Sequence, residues 1–141
     1  MGARRTARER ALQALFQLDA GSNSTAGEAL ESAWSASADD GKRDPESEGF
    51  ALELVEGVRG KLTELDALLT THSQNWRLER MSRIDRNVLR LGAFELTSRQ
   101  DIPKKVTLNE AIELGRKFGS EDSSAFINGI LDKLAESSGK S

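Results

Sequence analysis

Between Ile84 and Lys133 apolar residues return at every third or fourth position, and nowhere does the chain alternate with the period of two that a half-buried strand requires. That pattern restricts it to helices packed on helices. Ile84, Val88, Leu91, Gly92 and Leu96 make one face, so Arg83, Arg86 and Arg90 are expected to point the other way. Asp101-Ile102-Pro103 ends this helix, because proline has no amide to donate and biases the preceding residue away from helical angles. Thr107 and Glu110 have the spacing of a capping box, which predicts the next helix from there, with Leu108, Ala111, Ile112, Gly115 and Phe118 as its buried stripe. Gly119 stands where a left-handed residue would close that helix. Ser120-Glu121-Asp122 offers a cap and two carboxylates to a last helix, whose apolar side is Phe126, Ile127, Ile130, Leu131 and Leu134.

The upstream half reads as a partner for this stretch. Thr6 and Glu9 form a second capping box, predicting a helix from near Ala7 and a mobile arm over Met1–Arg5. Ala7, Ala11, Leu12, Leu15, Phe16 and Leu18 are its buried face; Arg8 is expected to overhang the end of that face and Arg10 to meet solvent. A turn over Gly21–Thr25 leads to a weaker helix over Ala26–Ala38, then to a charged loop over Ser37–Glu48 that carries Asp39-Asp40-Gly41 and Pro45. Phe50–Leu69 is the longest periodic segment, and its Gly57 and Gly60 point to close helix contact. His72–Met81 is a connector anchored by Trp76 and Leu78. The expectation is an all-α fold of about six or seven helices, one domain over 1–141 with an N-terminal lobe over about 1–75 and a C-terminal lobe over about 76–141.

Cysteine is absent, which excludes disulfides and thiolate chemistry, and His72 is the only histidine. No apolar run approaches the ~18–20 residues of a membrane span. A cytoplasmic protein without membrane attachment is expected. The net charge of −3 conceals strong segregation. Residues 1–10 hold four arginines against one glutamate, residues 19–53 nine acids against two bases, and residues 77–105 eight bases against four acids. A local basic surface binds phosphate whatever the total charge.

Catalysis finds little support. His72 stands near a helix end, where an imidazolium suits the negative dipole, and Asp39-Asp40 lacks the further ligands of a metal site. Ser123-Ser124 has no base near it in sequence, and capping explains serines at a helix start. Neither metal nor cofactor is expected. Binding remains. Arg8 and Arg10 fall in the first turn of the first helix, next to Arg4 and Arg5, an unfavourable placement by ~0.3–1 kcal/mol each unless an anion approaches. Arg77, Arg80, Arg83, Arg86 and Arg90 are either a solvated face or contacts to carboxylate and phosphate. Phe126 lies at the edge of its apolar arc, flanked by Asp122, Gly129 and Lys133. It is either a core residue or a stacking platform for an unpaired base, with Asp122 accepting from base amines and Lys133 alongside.

The order of residues in Thr6-Ala7-Arg8-Glu9-Arg10-Ala11-Leu12-Gln13-Ala14-Leu15-Phe16, Asp85-Arg86-Asn87-Val88-Leu89-Arg90-Leu91-Gly92-Ala93-Phe94-Glu95-Leu96, Asn109-Glu110-Ala111-Ile112-Glu113-Leu114, Phe118-Gly119-Ser120-Glu121-Asp122-Ser123 and Phe126-Ile127-Asn128-Gly129-Ile130-Leu131-Asp132-Lys133 resembles the NusB family of transcription antitermination factors. Only the acidic middle is unmatched. The resemblance implies two small helical bundles, no catalytic activity, and a part in the RNA polymerase antitermination complex on ribosomal RNA operons. It also implies binding of boxA-type single-stranded RNA and pairing with the ribosomal protein NusE. Carried over by position, it makes Arg4, Arg5 and Arg8 phosphate contacts, Asp122 and Phe126 base contacts, and Phe16, Asp85 and Arg86 the NusE surface. Phenylalanine stands at 16 and 94 where relatives often carry tyrosine, which removes a hydroxyl from each place. Monomer and homodimer both stay open. The competing reading is a helical adaptor that binds proteins only.

Overall fold

The computed structural model describes residues 2–37, 43–74 and 76–138. Among these, seven α-helices and a single 3-10 turn account for all regular structure: α1 Ala3–Asp19, α2 Ala26–Ala36, α3 Pro45–Gly60, α4 Leu62–His72, the 3-10 turn Leu78–Arg80, α5 Arg83–Ser98, α6 Lys104–Phe118 and α7 Ser123–Ser138. No helix among the described residues is long and apolar enough to cross a membrane. The chain divides into two compact units, one ending at Gly60 and the other starting at Lys61.

In the first unit α1 packs on both α2 and α3. It buries Ala7, Ala11, Leu12, Ala14, Leu15 and Leu18 as its spacing requires, each full leucine burial contributing ~1.5–3 kcal/mol. Its start differs from expectation. The helix begins at Ala3, with Gly2 as a cap that makes no side-chain bond, so residues 3–5 are helical and Thr6 is buried within it rather than capping it. The added turn rests on α3, where the Arg4 and Arg8 guanidinium groups lie 4.9 and 5.2 Å from the centre of the Phe50 ring. Arg10 is the larger surprise. Expected in solvent, it is 1% exposed, with its guanidinium 5.4 Å from the Trp34 ring of α2 and Nη1 donating to Gln13 Oε1 at 3.1 Å.

α2 opens on a complete capping box, Thr25 Oγ1 accepting from the Glu28 amide at 3.1 Å and Glu28 Oε1 from the Thr25 amide at 2.9 Å. α3 starts inside the expected loop. Pro45 takes the first helical position, where its missing amide costs nothing, and Asp44 and Ser47 cap each other reciprocally at 2.9 and 3.0 Å. Asp39-Asp40-Gly41 lies outside the described residues.

The periodic segment over Phe50–Leu69 is two helices, not one. It breaks at Lys61 (φ −116°, ψ 22°), and a Cβ placed on Gly60 would meet nothing within 4 Å, so this glycine marks a helix end instead of a tight contact. α4 packs against α5 and α7 and buries Leu65 and Leu69. It therefore belongs to the second compact unit, which starts earlier than the expected lobe boundary near residue 75. His72 closes α4 as expected, its Nδ1 2.9 Å from the Leu68 carbonyl oxygen.

α5 is central in the second unit, packing on α4, α6 and α7, and every residue from Asn87 to Leu96 is buried. That includes Arg90, expected on the outside. Its Nε and Nη2 donate to the two carboxylate oxygens of Asp66 at 2.8 and 2.9 Å, a bidentate pair tying α5 to α4, and Nη1 donates to Asn87 Oδ1 at 3.2 Å. At Gly92 α5 and α7 come close, since a Cβ there would lie 2.5 Å from Leu131 Cδ1 on α7.

α6 begins at Lys104 after Pro103, one turn before the expected capping box. Thr107 is 2% exposed and its hydroxyl donates to Glu95 Oε1, itself 2% exposed, at 2.7 Å. A buried bond to a carboxylate is worth more than a cap at the surface. Thr107→Val keeps the shape and removes the donor. It is expected to cost about 1.5 kcal/mol, read as a lower urea midpoint; an unchanged midpoint would show that the hydroxyl contributes nothing.

Candidate nucleic-acid interface

Two regions, one in each unit, carry the residues singled out from the sequence. In the first, the arginines of α1 sort by exposure: Arg4 is exposed, Arg5 half-buried, and Arg8 only 4% exposed beneath its contact with Phe50. Arg8 thus does not overhang solvent as expected. Phe50 holds Arg4 and Arg8 along one side of the helix end, and the first turn contains no carboxylate to oppose them. Phe16, expected on the buried face of α1, is instead 37% exposed, on a helix that buries six other apolar side chains.

In the second unit the corner between α6 and α7 sets the geometry. Gly119 does not adopt the left-handed conformation expected of it (φ −95°, ψ −162°); it is glycine because a Cβ would lie 2.3 Å from Ser123 Oγ and 2.8 Å from the Gly115 carbonyl oxygen. Ser123 is the knot of this corner. Its Oγ accepts from the Ser120 amide at 2.9 Å and donates to Asp85 Oδ1 of α5 at 2.6 Å. Ser124 Oγ donates to the Ile112 carbonyl oxygen of α6 at 3.0 Å. These bonds account for both serines structurally, and they fix where α7 starts.

Asp122 precedes that start and Phe126 follows one turn later, so both look out on the same side. Asp122 is exposed and Phe126 is half-buried, as its place at the edge of the apolar arc predicts. Phe126 meets Trp76 edge to face, with ring centres 5.3 Å apart and planes at 79°. Trp76 is 56% exposed. It is not the anchor expected of it; Leu78, 9% exposed, is, together with Met81 at 7%. The sequence did carry a signal for Trp76, which stands between Gln74-Asn75 and Arg77 with no apolar neighbour at helical spacing to pack with.

The ring pair borders two clefts. One, of about 280 Å³, is lined by Trp76, Arg80, Asp85, Asp122 and Phe126 among others. The other, of about 240 Å³, is lined by Trp76, Phe126, His72, Gly129 and Lys133 among others. Asp122, Phe126 and Lys133 are therefore brought together around Trp76. Asp85 is half-buried with Oδ1 taken by Ser123, and Arg86 is half-buried with Nη1 donating to the Leu78 carbonyl oxygen at 3.3 Å, so both are tied into the fold of this unit.

A roomier cleft of about 360 Å³ lies between α2 and α3, lined by Leu30, Trp34, Arg43 and Leu52 among others. Arg43 bridges Glu31 and Glu48 there, and its hydrogen bond holds the Glu31 carboxyl below its ordinary value. That network is exposed and self-satisfied.

Known proteins complete the picture. Residues 5–136 match the NusB family. The chain is 65% identical over 135 residues to the transcription antitermination protein NusB of Myxococcus xanthus (strain DK1622), covering 96% of each chain. It is 36% identical to the solved structure of T. maritima NusB, with a TM-score of 0.83 over 94% of this chain and 90% of that one. The antitermination factor NusB in a solved complex with NusE and double-stranded RNA is 22% identical, with a TM-score of 0.84 over 96% of this chain and 97% of that one; at that identity the likeness speaks for the fold. The shared fold and a match spanning nearly the whole sequence lead to one assignment: the chain belongs to the NusB family.

Proposed function

We propose that this protein is a transcription antitermination factor that binds boxA-type single-stranded RNA of ribosomal RNA operons together with NusE. It acts by binding, without catalysis. The observation that carries this reading is the ring pair of exposed Trp76 and half-buried Phe126, which stands beside Asp122 and borders two clefts. The Myxococcus xanthus relative is a transcription antitermination protein, and the NusB of like fold in the solved complex sits with NusE and RNA, there double-stranded; both are in keeping with this role.

The labour divides by chemistry. Arg4 and Arg5 track the RNA backbone and set affinity and salt dependence, while Arg8, stacked on Phe50, keeps the helix end in place for them. Asp122 and Phe126 read bases, and Lys133 neutralises a neighbouring phosphate or base oxygen. Phe16 is the exposed anchor for NusE, with Asp85 and Arg86 shaping the second patch.

Gel-shift titration of a boxA-type RNA across a salt series, with and without NusE, tests the proposal. Arg4→Ala with Arg5→Ala is expected to weaken binding of matched and scrambled RNA alike and to reduce the salt slope by about 2, one for each lost phosphate contact. A parent protein that retards no RNA under any of these conditions, while still binding NusE, would leave the protein-only adaptor as the answer.

A further inference from the structure

We propose that Trp76 is a second base-stacking residue, and that its edge-to-face pair with Phe126 is a divider seating two consecutive unpaired bases, an amine-bearing base in the cleft of Asp85 and Asp122 and a carbonyl-rich base in the cleft of Lys133. The inference rests on the RNA-binding reading above and extends it to a residue and a base order.

Three observations lead there. Trp76 is 56% exposed, yet it is held by the ring of Phe126 at 5.3 Å and by its own segment, where the Trp76 carbonyl oxygen accepts from Ser73 Oγ at 2.8 Å. An indole exposed but fixed is pre-organised to stack, because little side-chain entropy is left to lose on binding. Second, Trp76 and Phe126 are the two residues shared by both clefts, so the pair forms the wall between them. Third, the two sides differ in charge. On one side the exposed carboxylate of Asp122 faces the cleft, with Asp85 behind it held by Ser123, and a carboxylate accepts from the ring N–H and amine of guanine, or from the amines of adenine and cytosine, while repelling the carbonyls of uracil. On the other side the ammonium of Lys133 offers donors, which suit carbonyl oxygens, and no carboxylate among the described residues lines the cleft.

The test uses the full chain, with NusE present, and a short boxA-type single-stranded RNA labelled for anisotropy. Trp34 is 6% exposed, so Trp34→Phe leaves Trp76 as the only indole, and its emission is expected to be quenched in step with the rise in anisotropy. Trp76→Ala is expected to weaken binding about fivefold and Trp76→Phe much less. Replacing nucleotides one at a time by abasic residues should expose two adjacent sensitive positions in the parent protein. The same replacements should cost the Trp76→Ala variant little more. At the position read by the Asp122 carboxylate, uracil should bind worse than guanine, and Asp122→Asn should narrow that gap. Binding without quenching, with Trp76→Ala within about twofold of the parent, overturns the divider and leaves the RNA-binding reading intact. Should Trp76→Ala fail to fold, the quenching measured with Trp76 in place decides. No anisotropy change for the parent protein with NusE overturns both.

Discussion

Gly119→Ala is expected to lower the unfolding free energy by about 3 kcal/mol, the upper part of the usual range for forcing an extra methyl into a packed place. The added Cβ would lie 2.3 Å from Ser123 Oγ, 2.6 Å from Ser123 Cβ and 2.8 Å from the Gly115 carbonyl oxygen. Two of those three atoms have no flexible side-chain end to swing away. Gly92 is the instructive contrast, because there the nearest atoms are the terminal methyls of Leu131, which can turn. Relief at 119 requires moving Ser123, and Ser123 also holds the Ser120 amide and the Asp85 carboxylate. The corner that aims Asp122 and Phe126 should loosen with it. Urea unfolding of parent and variant measures the first effect, and the second follows as weaker discrimination between matched and scrambled RNA at a temperature where the variant is folded. A midpoint equal to the parent's would mean that the corner has slack that the packing does not show.

Phe126→Ala is expected to reduce the preference for boxA-type over scrambled RNA by about 2–3 kcal/mol, more than the loss of a single stack at the low end of the range. The ring does two things at once. It offers a face or edge to a base, and it braces Trp76 edge to face, so its removal frees the indole as well. Binding to scrambled RNA, carried by the arginines of α1, should change little, so the salt slope stays where it was. Phe126→Tyr, which keeps the ring, should restore most of the preference. Competition titrations with the two RNAs settle the matter. An Ala variant that loses affinity equally for both would assign Phe126 to the packing of α7 and not to base recognition.

Much of this could be read before any coordinates. The helix class, the seven helices among the described residues, the core face of α1 apart from Phe16, the buried apolar residues of α7, the edge placement of Phe126 and the helix-end position of His72 all follow from spacing within one helix. The capping-box rule failed twice in one way. Thr6 and Thr107 each stand three residues before a glutamate, and each is buried inside a helix that starts a turn earlier. At Thr107 the reason is Glu95 on the neighbouring helix, a stronger partner for the hydroxyl than the amide at its own helix end. At α1 it is Phe50, which makes an extra turn carrying Arg4 worth forming.

The arginines draw the boundary most sharply. Periodicity states which side of its helix a residue occupies, because that depends only on the residue's distance along the chain from its neighbours. It therefore specified an all-helical chain with apolar faces and a basic start, and residue order added the family. Whether a given face meets solvent depends on what a remote segment places opposite it. Arg10 is buried because α2 supplies Trp34, and Arg90 because α4 supplies the carboxylate of Asp66, while Arg4 stays at the surface. Trp76 joins Phe126 for the same reason, through a meeting of residues far apart in the chain. A charge or ring becomes core or interface according to its partner's desolvation and hydrogen bonds, and those are set only when the helices pack.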